Sequence, residues 1–302
     1  MFLFKKRPLY SAERTERGKR RAVFLLCGAA VFAIGGGTLL SWVSYRDEIT
    51  FSRVRVTGAE TLSLQEINGL VEKELVGAYF SFFGFDFFNR ANSILYPQKS
   101  IERKLAKTFP RVASVSVYRI NFRELGVKIR ERVPSYLWCG SALLTTGGEQ
   151  LPLRNARHEC YFLDPEGIAF AKAPYFSGNV YFEIYGKMEK GSIFQSGEHE
   201  PPLGSSFLPA GDFARVISFR NALDADGIPP EKLMVEESGD ALLFFPSGLS
   251  LKFLLTQDFS VILSNLRAAI DTEPLQKEFF ISAEKNQYEF LDARFENRIF
   301  YK

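Results

Sequence analysis

The run Ala22–Val43 contains 22 residues without a charged side chain. As a helix rising about 1.5 Å per residue it would reach about 33 Å, enough to cross the hydrocarbon core of a bilayer. Lipid offers the backbone no hydrogen-bond partner, so the segment must be helical despite its three consecutive glycines. We predict a transmembrane helix over residues 22–45, with Trp42 and Tyr45 at the membrane interface.

The charge around this segment predicts its orientation. Residues 1–21 carry eight Lys and Arg against two Glu, which leaves about −3 for the rest of a chain whose net charge is +3. Basic residues stay on the cytoplasmic side, so we predict a cytoplasmic tail over 1–21 and a single-pass type II protein of the inner cell membrane, extracytoplasmic from about Arg46. The cations belong to the tail and not to a folded face, so we expect no nucleic-acid partner.

Two other interpretations of the apolar segment stay open. A cleaved signal peptide usually has an apolar core of about 7–15 residues, and no small-x-small cleavage site stands at the end of this longer run. A lipoprotein signal at Cys27 would follow bulky Leu25 and Leu26, where small residues are expected. A retained anchor in contact with the bilayer fits the segment better.

The pattern over residues 51–132 predicts a two-layer α+β domain. Val54 and Val56 alternate with arginines, which is typical of a half-buried strand. Ser63 and Glu66 form a capping box that begins a helix ending at Gly77. We expect a second helix from Ser100 to the residues before Pro110, followed by two alternating strands at 113–118 and 125–130. The order is therefore β-α-α-β-β.

Between the two helices lies a phenylalanine-rich insertion, Tyr79 to Phe88. Six phenylalanines are interrupted only by Ser81, Gly84 and Asp86. The segment could be a loop packed against the domain's own core, or an apolar surface patch that contacts the membrane or a partner.

The motifs of this region resemble those of a known family. Phe109-Pro110-Arg111-Val112 continues into the alternating strand, and Leu125-Gly126-Val127-Lys128-Ile129 runs into Glu131-Arg132-Val133-Pro134. This arrangement is similar to the POTRA domain of the FtsQ/DivIB cell-division family, with Arg111 and Asn121-Phe122 as departures from the family's usual tryptophans. The resemblance implies a POTRA domain over 49–134 and a second, FtsQ-type β domain with two helices over 135–302.

Two cysteines lie in the predicted second domain. The residues between Cys139 and Cys160 include a loop-like Thr-Thr-Gly-Gly stretch flanked by apolar runs, so the cysteines could face each other across the base of a hairpin. Thiols outside the cytoplasm are usually oxidised, which favours a disulfide. Two buried free thiols are the alternative.

The remaining patterns of the second domain are strands, turns and two helices. We expect a turn at Asp164-Pro165-Glu166-Gly167, a loop from Lys190 to Gly211, and helices at about 212–223 and 259–270. The last residues resemble the family's closing hairpin. The resemblance implies binding of FtsB/FtsL-like partners there by β-strand addition, through five residues: Phe295, Arg298, Ile299, Phe300 and Tyr301. Alternatively, these residues only complete an internal sheet.

The sequence contains little that points to catalysis. Ser282-Ala283-Glu284-Lys285 matches the S-x-x-K of penicillin-recognising enzymes, but their companion motifs are not both present in order. His158, Glu159, Cys160 and the distant Cys139 are potential zinc ligands. Their spacing is poor, because adjacent residues of an extended segment point to opposite sides, so Glu159 would not face the same side as His158 and Cys160. We therefore predict no catalytic activity, no metal, no cofactor and no small-molecule substrate. The resemblance implies that the protein is a divisome scaffold that helps control septal wall synthesis; a POTRA-containing envelope adaptor and an envelope hydrolase are the alternatives.

Overall fold

The computed structural model describes residues 12–82, 84–140, 159–189, 202–270, 290–295 and 298–301. Within these residues the protein is a mixed α+β structure with five α-helices and a large sheet. The chain folds into two compact units, one of Met1–Leu105 with Val115–Ile129 and one of Ala106–Ser114 with Arg130–Lys302.

The N-terminal helix α1, Ala12–Ser44, is long and apolar enough to cross a membrane by its length and composition. It begins at Ala12, before the predicted start of the span at residue 22. The basic residues between these positions are good helix formers, so the helix continues from the apolar run into the preceding polar segment. A short 3₁₀ turn, Asp47–Ile49, follows α1.

The first unit contains the predicted order of strand, two helices and two strands, with one addition. Its elements are β1 Arg53–Thr57, α2 Leu64–Leu75, β2 Ala78–Phe82, β3 Phe85–Asn89, α3 Gln98–Thr108, β4 Val112–Asn121 and β5 Glu124–Glu131. The main sheet has the order β1-β5-β4, with β1 parallel to β5. The addition is a two-stranded antiparallel hairpin, β2–β3, formed by the phenylalanine-rich insertion.

The starts of the two covering helices have different causes. Ser63 caps α2 as predicted, its Oγ accepting a hydrogen bond from the Glu66 N–H at 3.4 Å. The prediction that Ser100 begins the second helix is wrong, because α3 begins at Gln98. Pro97 precedes it and its carbonyl accepts from the N–H of Ile101, so the first turn is already formed when Ser100 is reached.

The second unit is built on a sheet of nine strands with the order β14-β13-β12-β11-β10-β9-β6-β7-β8. Its elements are β6 Tyr136–Trp138, β7 Tyr161–Leu163, β8 Ala169–Lys172, β9 Glu183–Tyr185, α4 Ala210–Ala225, β10 Lys232–Val235, β11 Asp240–Phe244, β12 Ser250–Leu254, α5 Phe259–Ile270, β13 Phe290–Phe295 and β14 Arg298–Tyr301. Three neighbouring pairs, β6–β9, β9–β10 and β12–β13, are parallel.

The main core of this unit lies between the sheet and its two helices. Phe213 and Phe219 of α4 and Leu266 of α5 are buried together with inward-facing strand residues such as Leu243 and Phe253. A smaller cluster that includes Leu137, Tyr185 and Met234 also forms in this unit. The two predicted helices are therefore both present, and each contributes an apolar face to one core.

Candidate partner-binding edge

The last two strands form a hairpin at one end of the nine-stranded sheet. β13 pairs in parallel with β12, with Leu251 opposite Leu291, and Leu291 and Ala293 are buried in the core. β14 pairs antiparallel with β13, placing Asp292 opposite Phe300. β14 is the terminal strand of the sheet, and within the described residues no strand pairs with its outer edge. Its position leaves one side open to another extended chain.

The five predicted contact residues lie together on this hairpin. Phe295, Phe300 and Tyr301 are about half exposed, at 52%, 49% and 50%, and Arg298 is exposed. The rings of Phe295 and Phe300 meet edge to face, with centroids 5.0 Å apart. Ile299 instead packs partly against the core, so it attaches β14 to the unit and does not present a free side chain. The edge therefore combines a strand with a small aromatic surface.

A charged cluster that the sequence reasoning missed supports the hairpin. The Arg294 guanidinium donates to both carboxylate oxygens of Asp292, at 2.6–3.2 Å, and to Asp240 of β11 at 3.2 Å. Lys252 of β12 lies 3.1 Å from the same Asp240 carboxylate. The cluster therefore links β13 to β12 and β11. The i, i+2 spacing of Asp292 and Arg294 on one strand face was the available sequence signal.

Within this cluster, Asp292 and Arg294 favour each other's charged form. Hydrogen bonding from Arg294 keeps the pKa of the mostly buried Asp292 below its ordinary value, although burial opposes the shift. The same hydrogen bonds raise the pKa of Arg294 above that of a free guanidinium. The Asp292–Arg294 pair lies within β13 and holds the guanidinium in place, and the contact of Arg294 with Asp240 then links β13 to β11.

The opposite end of the sheet differs because its own chain covers part of it. The Ala169 N–H at the start of β8 donates to the carbonyl of Ser205, and the Gly204 N–H donates to the carbonyl of Ala169. An isolated bridge between Ile168 and Ser206 continues this contact. Among the described residues, a segment of the chain is bonded along β8, whereas no strand is paired with the outer edge of β14.

Cys139 and Cys160 are joined in a disulfide, with their Cα atoms 4.1 Å apart. They lie directly beyond the pairing of Trp138 with Tyr161 in β6 and β7, across the base of the connection between these strands. Their backbones are also bonded into the sheet, since the Cys139 N–H donates to the Ile184 carbonyl and the Cys160 carbonyl accepts from Ala173. The disulfide thus links the end of β6 covalently to the start of β7, next to the terminal strand β8.

The described residues also contain an open groove of about 650 Å³ between α4 and α5. It contains Ser260, whose Oγ donates to Asp258 at 2.7 Å, and Arg215, which donates to the Gln257 carbonyl at 2.7 Å. No histidine, cysteine or lysine lines this groove in the part of the chain that is described. The Ser260 hydroxyl is bonded only to the carboxylate of Asp258 two residues before it, an interaction typical of a helix start, and among the described residues no histidine or lysine stands beside it as a base.

The residues considered for other chemistry are mostly outside the described ranges. His158, Ser282 and Lys285 lie there. Glu159 is described, and it pairs with Lys172 at the surface. Among the described residues no three His, Cys, Asp or Glu side chains come together as a metal site. A search against protein-family models and curated proteins found no match.

Proposed function

We propose that this chain is a membrane-anchored scaffold of the FtsQ/DivIB type, in which the first unit is a POTRA domain and the second binds FtsB/FtsL-like division proteins. The observation that carries the proposal is the position of β14 at the open end of a nine-stranded sheet. A strand in this position can pair with a partner strand through backbone hydrogen bonds, and this requires no catalytic residue.

Three further features support it. The helix α1 can cross a bilayer, which would place both units on one side of the membrane. Apart from the added β2–β3 hairpin, the first unit has the order β-α-α-β-β that we expect of a POTRA domain, which supports this part of the proposal. The half-exposed Phe300 and Tyr301 on β14 supply side chains that could distinguish one partner strand from another.

The experiment is co-purification of the full chain from native membranes, carried out with wild type and with Ile299→Pro. Wild type is expected to retain FtsB/FtsL-like proteins. The proline variant should lose them, because proline has no N–H to donate and restricts the backbone of the edge strand. Since Ile299 lies opposite the register shift between Asp292 and Phe295, the substitution falls where the internal pairing is already irregular.

The matched control is Tyr175→Glu, which alters a side chain that is 93% exposed on the same unit. It should leave co-purification unchanged. Amide hydrogen exchange gives a second readout, because exchange at 298–301 should slow when the partner binds. Unchanged retention by the proline variant, or protection that appears elsewhere, would remove β14 as the site. A fluorescent fusion should lie at midcell; uniform distribution would favour an envelope adaptor outside division.

A further inference from the structure

The β2–β3 hairpin of the first unit has two chemically different faces. The cross-strand pairs Phe80 with Phe87 and Phe82 with Phe85 lie on one face, because alternate residues of a strand share a side. The rings of Phe80 and Phe87 are stacked, with centroids 5.4 Å apart. The other face carries the pair Ser81 with Asp86, whose side chains are hydrogen-bonded to each other. The end of the hairpin next to its turn is therefore amphipathic, and the aromatic residues Tyr79 and Phe88 lie at its other end.

The apolar face is largely exposed within the described part of the chain. Phe82 and Phe85 are 64% and 71% exposed, and Phe80 is about half exposed. Ile94 and Leu95, which follow the hairpin, are exposed as well. The Tyr79 hydroxyl donates to the Leu95 carbonyl, so these residues adjoin the hairpin. A group of large apolar side chains of this kind on a protein surface marks a contact with a partner or a membrane.

The hairpin is bonded directly to the end of α1. The N–H groups of Phe88 and Asn89 donate to the hydroxyls of Ser41 and Ser44, at 3.2 and 3.1 Å. The Asn92 side chain donates to the Ser44 carbonyl at 3.1 Å. Ser41 and Ser44 are only 5% and 4% exposed, whereas their helix neighbours Trp42 and Val43 are exposed. One side of the last turns of α1 is thus occupied by the hairpin.

Phe88 has an unusual backbone conformation at this contact. Phe88 has φ = 60°, and it is the one non-glycine residue with positive φ among those described. This left-handed conformation costs roughly 1–2 kcal/mol for a bulky residue. Successive N–H groups of a regular strand point to opposite edges. The turn in the backbone at Phe88 lets two consecutive N–H groups both reach serines of α1.

The length of α1 fixes the depth at which the hairpin lies if the helix crosses a bilayer. From Arg21, the last residue of the basic segment, to Ser41 is 20 residues. At about 1.5 Å per residue this is about 30 Å, which equals the thickness of the hydrocarbon core. The hairpin would therefore leave α1 at the boundary between acyl chains and headgroups. Trp42, with the Arg46 guanidinium 4.8 Å above its ring, is typical of this level.

We propose that the β2–β3 hairpin is a membrane-interface element that inserts Phe80, Phe82 and Phe85 into the lipid around the end of α1. Lipid is favoured over a protein partner because the hairpin is hydrogen-bonded to the end of a helix that is long and apolar enough to cross a bilayer. The Ser81–Asp86 face would remain in the headgroup and water layer, as in other amphipathic interfacial elements. The proposal goes beyond partner binding at β14 and depends only on α1 crossing a bilayer.

The test uses the full chain in vesicles of phosphatidylcholine and phosphatidylglycerol. The photo-reactive residue p-benzoylphenylalanine is introduced at one position at a time, and covalent lipid adducts are measured by mass spectrometry after illumination. The test positions are Phe82 and Phe85. The matched control is Ser81, the neighbour of Phe82 on the opposite face. Leu39 of α1 reports the transmembrane segment, and Phe300 reports a half-exposed phenylalanine of the second unit.

We expect lipid adducts at Phe82, Phe85 and Leu39, several-fold fewer at Ser81, and none at Phe300. Adducts at Leu39 with none at Phe82 and Phe85 would overturn the proposal while leaving the anchor intact. Adducts from Phe85 to a second copy of the chain would also overturn it. Absence of adducts at Leu39 would show that α1 does not span the bilayer, which removes both the anchor and this inference but not strand addition at β14.

Discussion

Asp164 is a buried carboxylate with a partner for each oxygen. Its Oδ1 accepts from the N–H groups of Glu166 and Ile168, at 3.1 and 2.8 Å, and its Oδ2 pairs with Arg132. The side chain is 1% exposed, so these hydrogen bonds take the place of the hydration that the carboxylate would have in water. Asp164 thus shapes the predicted Asp-Pro-Glu-Gly turn and neutralises the arginine of the Glu-Arg-Val-Pro motif.

Replacing this carboxylate is expected to be costly for the stability of the second unit. Asp164→Ala should lower the free energy of unfolding by roughly 3–5 kcal/mol, because it leaves Arg132 with an uncompensated and largely buried charge. Urea denaturation of the purified chain measures the loss. Asp212→Ala is the control, since Asp212 forms an exposed pair with Arg215 on one helix and should cost less than about 1 kcal/mol. Equal losses in the two variants would contradict this role.

At the scale of secondary-structure elements, the sequence predicted the helices that are specified by nearby residues. The helix Phe259–Ile270 has the predicted bounds, and Ser63 caps α2 through the expected hydrogen bond. The hairpin in the phenylalanine-rich insertion was not predicted as strands. Its alternating pairs are partly obscured by large aromatic residues on both faces, such as Tyr79 and Phe88, so the period of two is weak.

The β13–β14 hairpin should respond to acid through Asp292. Because hydrogen bonding with Arg294 depresses the folded-state pKa of this carboxyl, its contribution to stability is present above the ordinary carboxyl range of about 4 and is lost as the pH falls through the depressed value. Amide protection factors, which correct for the pH dependence of intrinsic exchange, are expected to fall in β13 and β14 over this interval before the rest of the sheet is affected.

The matched variant for this titration is Asp292→Asn, which keeps the side-chain shape but cannot ionise. It should show lower protection factors in the hairpin already at neutral pH, with little further change in protection in acid. Asp258, whose pKa is lowered by hydrogen bonds from Ser260 at an exposed site, serves as a comparison through Asp258→Asn. An acid response of the hairpin that persists in Asp292→Asn would assign it to other groups.

At the scale of the whole chain, the order of the large sheet could not be predicted from the sequence. The β9–β10 and β12–β13 neighbours are parallel strands separated by helices or long connections, so no local turn signal specifies their pairing. The resemblance predicted a closing hairpin, but only the sheet order shows that β14 is a terminal strand. The contact of the hairpin β2–β3 with α1 likewise depends on side-chain hydrogen bonds between distant residues.

The disulfide offers a measure of how far the second unit depends on its covalent link. The bond closes a loop with a sequence separation of 21 residues between Cys139 and Cys160. In the loop-entropy treatment such a bond contributes about 3 kcal/mol, which for a domain of this size corresponds to roughly 6–12 °C in melting temperature. We expect reduction of the full chain in detergent to lower the melting temperature by this amount. The double variant Cys139→Ala with Cys160→Ala should melt at the lower temperature and show no effect of the reductant. If wild type melts unchanged after mass spectrometry has shown the bond to be cleaved, then packing in the β6–β7 region already holds the sheet without it.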